Sequence, residues 1–274
     1  MTDAPTLSVV IAWANRPELA KSLKANRAQF NTHHVELIVV NCGGDSALIR
    51  NILAEHAPDR AILVDLPQVA FNKSFALNHG AAVAKGSLLF QLDADVVLQA
   101  DFLEQALAAY EPDQFITVDR VLESRRGAVK APAYLRTLTH SVTFEGNDGR
   151  KVTLDTNRID LADGSRSAPG LILLGREQFL AVDGMNAGLE GWGWEDLDLL
   201  VRLQFELGLR HQRVGTVTHM SHGDNIRDTR GTSRARTEAN NFNQCLAAYS
   251  LGYFLGSYEE DLEEAQATVE TIRP

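Results

Sequence analysis

Cysteine is scarce: Cys42 and Cys245 are the only two in 274 residues. That excludes a disulfide framework and a metal site built from thiolates. No apolar run approaches the ~20 residues that a membrane span needs. The opening Met1-Thr2-Asp3-Ala4-Pro5 lacks the basic region of a signal peptide. Positive charge is also short. Against 36 Asp and Glu stand 26 Lys and Arg, a net charge of −10, which is a poor match for a nucleic-acid backbone. Together these absences predict a soluble cytoplasmic protein with no membrane span and at most a peripheral membrane contact. The acidity has a second consequence. A diphosphate bound here needs its repulsion cancelled locally, and a divalent cation does this.

What is present is ordinary for a globular chain, 45% hydrophobic and 23% charged, and long enough for one large domain or two small ones. Apolar runs at 7–13, 35–40, 61–65 and 88–98 read as buried strands. Between them, helices are expected from Asn15-Arg16-Pro17-Glu18 to about Phe30, from Ala47 to His56 and from Phe71 to Val83, the last packing under the 88–98 strand. This alternation predicts an α/β fold with a mostly parallel central sheet. Residues 1–98 form its first half. A second half, 99–256, begins with a helix at 102–109 and a strand at 115–121. Residues 123–168 read as loops or a small antiparallel flap, with Asn147-Asp148-Gly149 turning between 141–144 and 151–154. A short strand at 171–174, a helix from Arg176 to Val182, a β run at 214–217 and a helix from Asn240 to Tyr253 complete it. Residues 257–274 read as an acidic tail, helical or frayed, without assigned function.

Two stretches carry chemistry. In Leu88–Leu98, Asp93 and Asp95 lie one residue apart at the end of an apolar strand. On extended backbone their side chains point the same way, towards the edge where open α/β sheets bind ligands. Two hard oxygen donors there suit Mg²⁺ or Mn²⁺ holding a diphosphate. An Asp-x-Asp alone is equally compatible with a solvated turn. The second stretch is Gly191-Trp192-Gly193-Trp194-Glu195-Asp196. Leu197, Leu200, Val201 and Phe205 mark one helix face that Gly208 ends, which places Glu195 and Asp196 in the first turn. An acid there complements the helix dipole, worth ~0.3–1 kcal/mol. That accounts for one acid, and not for two tryptophans among glycines, which read as a flat, exposed face for a sugar ring. His219 and His222, three apart after a β run, are a plausible metal contribution, or ordinary surface residues. Arg227, Arg230, Arg234 and Arg236 lie in a polar segment, 223–237, that reads as a solvated basic loop or as a flap meeting phosphate.

Taken in order, these motifs resemble the nucleotide-sugar-dependent glycosyltransferases of GT-A fold, family-2 enzymes and the β-1,4-galactosyltransferase type above all. Phe71-Asn72-Lys73 and Asn78-x-Gly80 precede Asp93-Ala94-Asp95. Pro169-Gly170, Gln178-Phe179, Asp183-Gly184, Gly191-Trp192-Gly193-x-Glu195-Asp196 and His219-x-x-His222 follow in that family's order. The resemblance covers most of residues 7–245 and is weakest at 111–168. It implies a Rossmann-like parallel sheet with a smaller antiparallel acceptor-side region. It implies that Asn15 and Arg16 contact the nucleotide, that Asp45 meets the base, and that Phe71, Asn72 and Lys73 lie against uridine and phosphate. Lys73 replaces the family's Arg, keeping charge but losing bidentate geometry. Asp93 and Asp95 match the metal and ribose ligands, Asp95 the more direct. His222 matches the later metal-binding His, and His219 stands where a second contact can occur. Gly170 and Trp192 match the lining of the donor and sugar sites. Asp196 matches the catalytic base and Glu195 its acceptor-binding neighbour. Trp194 departs from the galactosyltransferase pattern, which has Gly there.

The implied activity is metal-dependent, inverting transfer of a hexose or N-acetylhexosamine from a UDP-sugar to a hydroxyl of a glycan or lipid-linked sugar, with Mn²⁺ or Mg²⁺. The helix N-terminus is expected to favour ionised Asp196. The alternative is a nucleotide-sugar-binding module without turnover. A sugar nucleotidyltransferase would need a Gly-rich basic loop after the first strand, which residues 12–20 lack. An acid at Asp196 argues against a retaining mechanism.

Overall fold

The apolar runs do form strands, and their order fixes where a ligand can sit. The structure, a computed structural model, describes residues 6–125, 134–222 and 233–272. β1 (Leu7–Trp13), β2 (Glu36–Cys42), β3 (Ala61–Leu66) and β4 (Leu88–Gln91) lie parallel in the order β3-β2-β1-β4. They are buried on both faces, as near-continuous Val, Ile and Leu require. Because they run the same way, all four carboxyl ends open on one edge. The connecting helices are α1 (Glu18–Thr32), α2 (Ser46–His56) and α3 (Lys73–Val83). Pro17 stands just ahead of α1, and Asp45 caps α2 by accepting from the Ala47 and Leu48 N–H groups. α3 packs on β1 and β2 rather than under β4 as expected. Gly80 permits this: a Cβ there would meet Val10 Cγ1 at 2.2 Å.

The second half joins the same sheet. α4 (Phe102–Ala109) leads to β6 (Gln114–Glu123), and β9 (Arg166–Gly175) inserts antiparallel between β4 and β6. α5 (Arg176–Ala181) and α6 (Glu195–Leu207) follow, and β10 (Arg210–His219) pairs parallel with β6. The antiparallel share is larger than the sequence pattern implied. Where loops or a small antiparallel flap were expected, β7 (Thr137–Glu145) and β8 (Lys151–Asp160) form a long hairpin, with Gly149 at φ +83° in the expected turn. β8 touches β9 at one pair, Ile159 with Arg166. Both strands run beyond the expected 141–144 and 151–154, because their outer ends, 137–140 and 155–160, are mostly polar. β7 is exposed along most of its length, although Leu138, Val142 and Phe144 alternate with Thr, Ser and Glu along it.

Three expectations need correction. Residues 88–98 are not one strand. β4 ends at Gln91, the chain turns through Asp93–Asp95, and β5 (Val96–Leu98) pairs antiparallel with β10. Polar side chains of α1 receive the turned backbone: Ser22 Oγ donates to Ala94 O at 2.7 Å, and Asn26 bonds both Val96 O and Leu98 N. Both short strands are buried, so an apolar count cannot see the break. Second, the acidic tail is built in: α8 (Tyr258–Glu264) and then β11 (Thr268–Ile272), which pairs with β3. Asp261, buried on α8, accepts from Asn78 of α3 at 2.6 Å. Third, α7 (Arg234–Ser250) begins earlier than expected, capped by Ser233. Arg234 and Arg236 are therefore helical, while 223–232 of the expected flap lie outside the described residues. No helix among the described residues is long and apolar enough to cross a membrane.

His211 on β10 stacks on Phe115 with ring centroids 4.9 Å apart and shares a 2.7 Å hydrogen bond with Thr117 Oγ1. Burial, with the nearby Arg213 charge, lowers its pKa from 6.5 to about 4. Between those values the unfolded chain binds a proton that the folded chain refuses, so stability falls as pH drops through the window. His211→Gln keeps a hydrogen-bonding group that does not titrate. From pH 7 to pH 4, urea unfolding should show wild type losing stability relative to this variant, by at most about 3 kcal/mol. A difference that does not change with pH contradicts this.

Candidate active site

Two clusters meet at the carboxyl edge. The first centres on Asp95, buried in the turn after β4. Its Oδ2 lies 2.6 Å from Arg16 Nη2, 3.1 Å from His222 Nε2 and 3.5 Å from His219 Nε2. Each of Asp95, His219 and His222 offers one ligand atom, all within 4.8 Å of one another. β10 supplies His219 at its last position, and the Met220 N–H donates to Asp95 O at 2.8 Å, which locks strand end to turn. Glu123, the last residue of β6, accepts from His219 Nδ1 at 2.9 Å and from Ser221 Oγ at 2.7 Å. With Nδ1 held by a carboxylate, Nε2 faces Asp95, the arrangement that orients metal-binding imidazoles. Burial opposes charge on Asp95, but His219, Arg16 and His222 outweigh it and hold the carboxyl down at about 2. Burial likewise opposes charge on His219, yet Asp95 and Glu123 raise its pKa.

The second cluster centres on Lys73, the first residue of α3. Its Nζ lies 3.1 Å from Asp93 Oδ1 and 3.1 Å from Asp196 Oδ1. Burial disfavours this ammonium, but Asp196, Asp93 and Glu195 together raise its pKa well above the ordinary range. Glu195 and Asp196 open α6, as expected. Asp196 lies directly over β9: a Cβ on Gly170 would come within 2.1 Å of its Oδ2. The expectation that the helix end would favour ionised Asp196 is not met in balance. Burial, helped by Asp93, raises its pKa against the pull of Lys73. Burial and then the Asp196 charge push Glu195 up to about 7. Glu195 Oε2 is buried without a hydrogen-bond partner among the described residues.

The backbone before α6 is held under tension. Gly191 and Gly193 have φ of +81° and +99°, and Trp194 is left-handed at φ +75°, unfavourable for a bulky side chain. α7 over-determines this shape. Thr237 Oγ1 donates to Trp192 O at 2.8 Å, and Asn241 Nδ2 donates to Gly193 O at 2.8 Å and Glu190 O at 3.2 Å. Trp194 is buried edge-on against Phe242, so it offers no exposed face to a sugar, contrary to expectation. Trp192 is half-buried, and the Arg234 guanidinium lies over its ring at 3.5 Å.

The other expected contacts line the same edge in structural roles. Asn15, at φ +54°, accepts from the Asp45 N–H at 2.8 Å and so ties the loops after β1 and β2. Asp45 is exposed at the α2 cap. Asn72 caps α3 and donates to Ala187 O at 2.8 Å, beside half-buried Phe71. Asp93 faces Lys73 and is not among the three clustered ligands of the Asp95 site. Sequence reasoning missed Glu123, although strand ends on this edge are where such groups collect. It also missed Asp65, the buried acid of β3 bonded by Asn41, Ser46 and Arg50. Thr237 and Asn241 carried no sequence signal.

Residues 8–161 match the family described as Glycosyl transferase family 2, and residues 151–223 match the one described as N-terminal domain of galactosyltransferase. A comparison with curated proteins gave no match. Among solved structures, the chain is similar to glucosyl-3-phosphoglycerate synthase from Mycobacterium tuberculosis in complex with Mn²⁺, UDP and phosphoglyceric acid. There the identity is 17% and the TM-score 0.54, covering 88% of this chain and 78% of that one. It is also similar to the mannosyltransferase PcManGT from Pyrobaculum calidifontis in complex with GDP-Man and Mn²⁺, at 14% identity and a TM-score of 0.53, covering 96% and 76%. At such identities the structures establish the fold alone, which is the expected GT-A type. The match over 8–161 spans more than half of the sequence, and on it the chain belongs to glycosyl transferase family 2.

Proposed function

We propose that this chain is a metal-dependent, inverting glycosyltransferase that moves a hexose or N-acetylhexosamine from a UDP-sugar to a hydroxyl of a glycan. The observation that carries the reading is the meeting of the two clusters: Asp95, His219 and His222 within 4.8 Å, and Asp196 linked through Lys73 to Asp93 on the same turn as Asp95. The solved relatives named above hold Mn²⁺ with UDP or GDP-Man, in keeping with a nucleotide-sugar donor. Action in the cytoplasm belongs to the same proposal, with two buried thiols, not joined in a disulfide, suited to a reducing compartment.

The donor set fits a divalent cation. One buried carboxylate and two imidazoles converge, and Glu123 fixes one imidazole from behind. Nitrogen in two of three positions favours Mn²⁺ over Mg²⁺, which keeps to oxygen. Asp95, His219 and His222 would hold it, and when bound it would supply charge neutralisation for the departing diphosphate. Arg16 and Lys73, now paired with Asp95 and with Asp93 and Asp196, are the cations at hand for phosphate oxygens.

Asp196 takes the proton of the acceptor hydroxyl as that oxygen attacks the anomeric carbon from the face opposite the leaving group. A single displacement turns an α-linked donor into a β-linked product. Lys73 favours the ionised form that a base requires, against burial. Gly170 leaves room for the carboxylate at the β9 backbone. Glu195 is the acceptor-binding neighbour of Asp196 in this reading, and its Oε2 has no hydrogen-bond partner among the described residues.

Asp196→Asn should lower kcat by about 10²–10⁴-fold while calorimetry still shows UDP-sugar binding with Mn²⁺. A near-wild-type rate would remove Asp196 from the mechanism. Lys73→Gln should move the acid limb of the pH–rate profile to higher pH, because the lost charge was lowering the pKa of Asp196. A limb that stays put or moves to lower pH contradicts that role.

A further inference from the structure

A cleft of about 290 Å³ opens between β6, the outer ends of β7 and β8, and the turn into β9. No residue lining it has a role in the site above. Four arginines face it, and each has a carboxylate partner. Arg120 pairs with Asp163. Arg158 Nη2 donates to Asp119 Oδ1 at 2.5 Å and to Asp119 O at 2.6 Å. Arg136 lies 3.7 Å from Asp160, and Arg166 lies 3.4 Å from Glu123. Formal charge therefore nearly cancels, while the walls stay dense in N–H donors and carboxylate acceptors.

This balance selects a ligand class. A phosphate or carboxylate is captured by unbalanced arginines, and here the acids already answer them. A sugar hydroxyl both donates and accepts, so a wall of alternating donors and acceptors, each fixed by its partner, suits an uncharged polyol. Riveting the hairpin to the sheet accounts for the Arg158–Asp119 pair, part-buried between β8 and β6, but is a weak reason for the more exposed ones. Arg136 and Arg120 have side chains 84% and 43% exposed, and exposed pairs stabilise by about 0–1 kcal/mol.

The cleft also adjoins the reaction site. Arg166 pairs with Glu123, whose other oxygen accepts from His219. Along β9, Arg166 precedes Gly170, which touches Asp196, by four residues. That span is at most about 13 Å, within reach of a short oligosaccharide. We infer that the cleft is a second acceptor subsite, which binds an uncharged sugar unit of an oligosaccharide whose neighbouring unit presents its hydroxyl to Asp196. The inference rests on the transferase reading above. It narrows the acceptor to a neutral chain of at least two units.

The test uses the whole chain on an array of neutral oligosaccharides, one to four units of glucose, galactose, mannose or N-acetylglucosamine, beside their sulfated counterparts. Asp119→Asn and Arg136→Ala are compared with wild type, with melting temperature and Mn²⁺-dependent UDP-sugar hydrolysis as controls. Wild type should capture neutral chains of two or more units in preference to single sugars and sulfated chains. Each variant should bind them about tenfold more weakly, with melting and hydrolysis unchanged. Equal capture by both variants, preference for sulfated chains, capture of single sugars as good as of chains, or no capture of any neutral chain would overturn the subsite. Capture as expected without donor hydrolysis in wild type would instead fault the transferase reading and leave a saccharide-binding cleft standing.

Discussion

The arrangement depends on how one buried carboxylate is shared. Asp95 sits among Arg16, His219 and His222, and three separate parts of the chain must converge to make this possible. β1 delivers Arg16 through the turn after Trp13. The break between β4 and β5 turns Asp95 inward. β10 brings the histidines, with its own end pinned to the Asp95 carbonyl. A carboxylate at this depth is costly unless cations or donors surround it. The groups that stabilise it in this structure are the same ones that leave a three-donor cage facing the edge of the sheet.

The position of Asp196, the proposed base, depends on a second constraint, applied to the backbone. Three positive-φ residues in the 191–194 segment aim the first turn of α6 at β9, and one of them is a tryptophan. Such a conformation persists only when neighbours enforce it. Thr237 and Asn241 of α7 do so through backbone carbonyls, and Phe242 covers the indole. Lys73 then joins the halves, with one ammonium between Asp93 of the turn and Asp196 of the helix. An acid beside the Asp95–His219–His222 cluster and an acid beneath a strained loop are joined through that lysine.

The sequence was most readable where burial is two-sided. β1 to β4 announce themselves as runs of Val, Ile and Leu, and the ordered glycine, aspartate and histidine motifs led to the right family and fold. It was least readable where strands are polar. β7 and much of β10 pair through their backbones while showing Thr, Ser, His and Arg to solvent or to ion partners such as Asp113 and Asp155. The turn at Asp93–Asp95 was hidden because both flanking strands are apolar, and its cause lies in Ser22 and Asn26, some seventy residues earlier. Trp194 read as a sugar platform because tryptophan near glycine is ambiguous until burial is known. Glu123 lacked any motif, and only the pairing of β6 with β10 sets it behind His219.

The central claim is that Asp95, His219 and His222 form one cation cage on which donor binding depends. Anomalous diffraction from crystals grown with Mn²⁺ and UDP tests it most directly. The account predicts a single manganese peak bounded by the Asp95 carboxylate and the Nε2 atoms of both histidines, with Arg16 moved off Asp95. A manganese peak elsewhere, or well-ordered UDP with none in this cage, would contradict it.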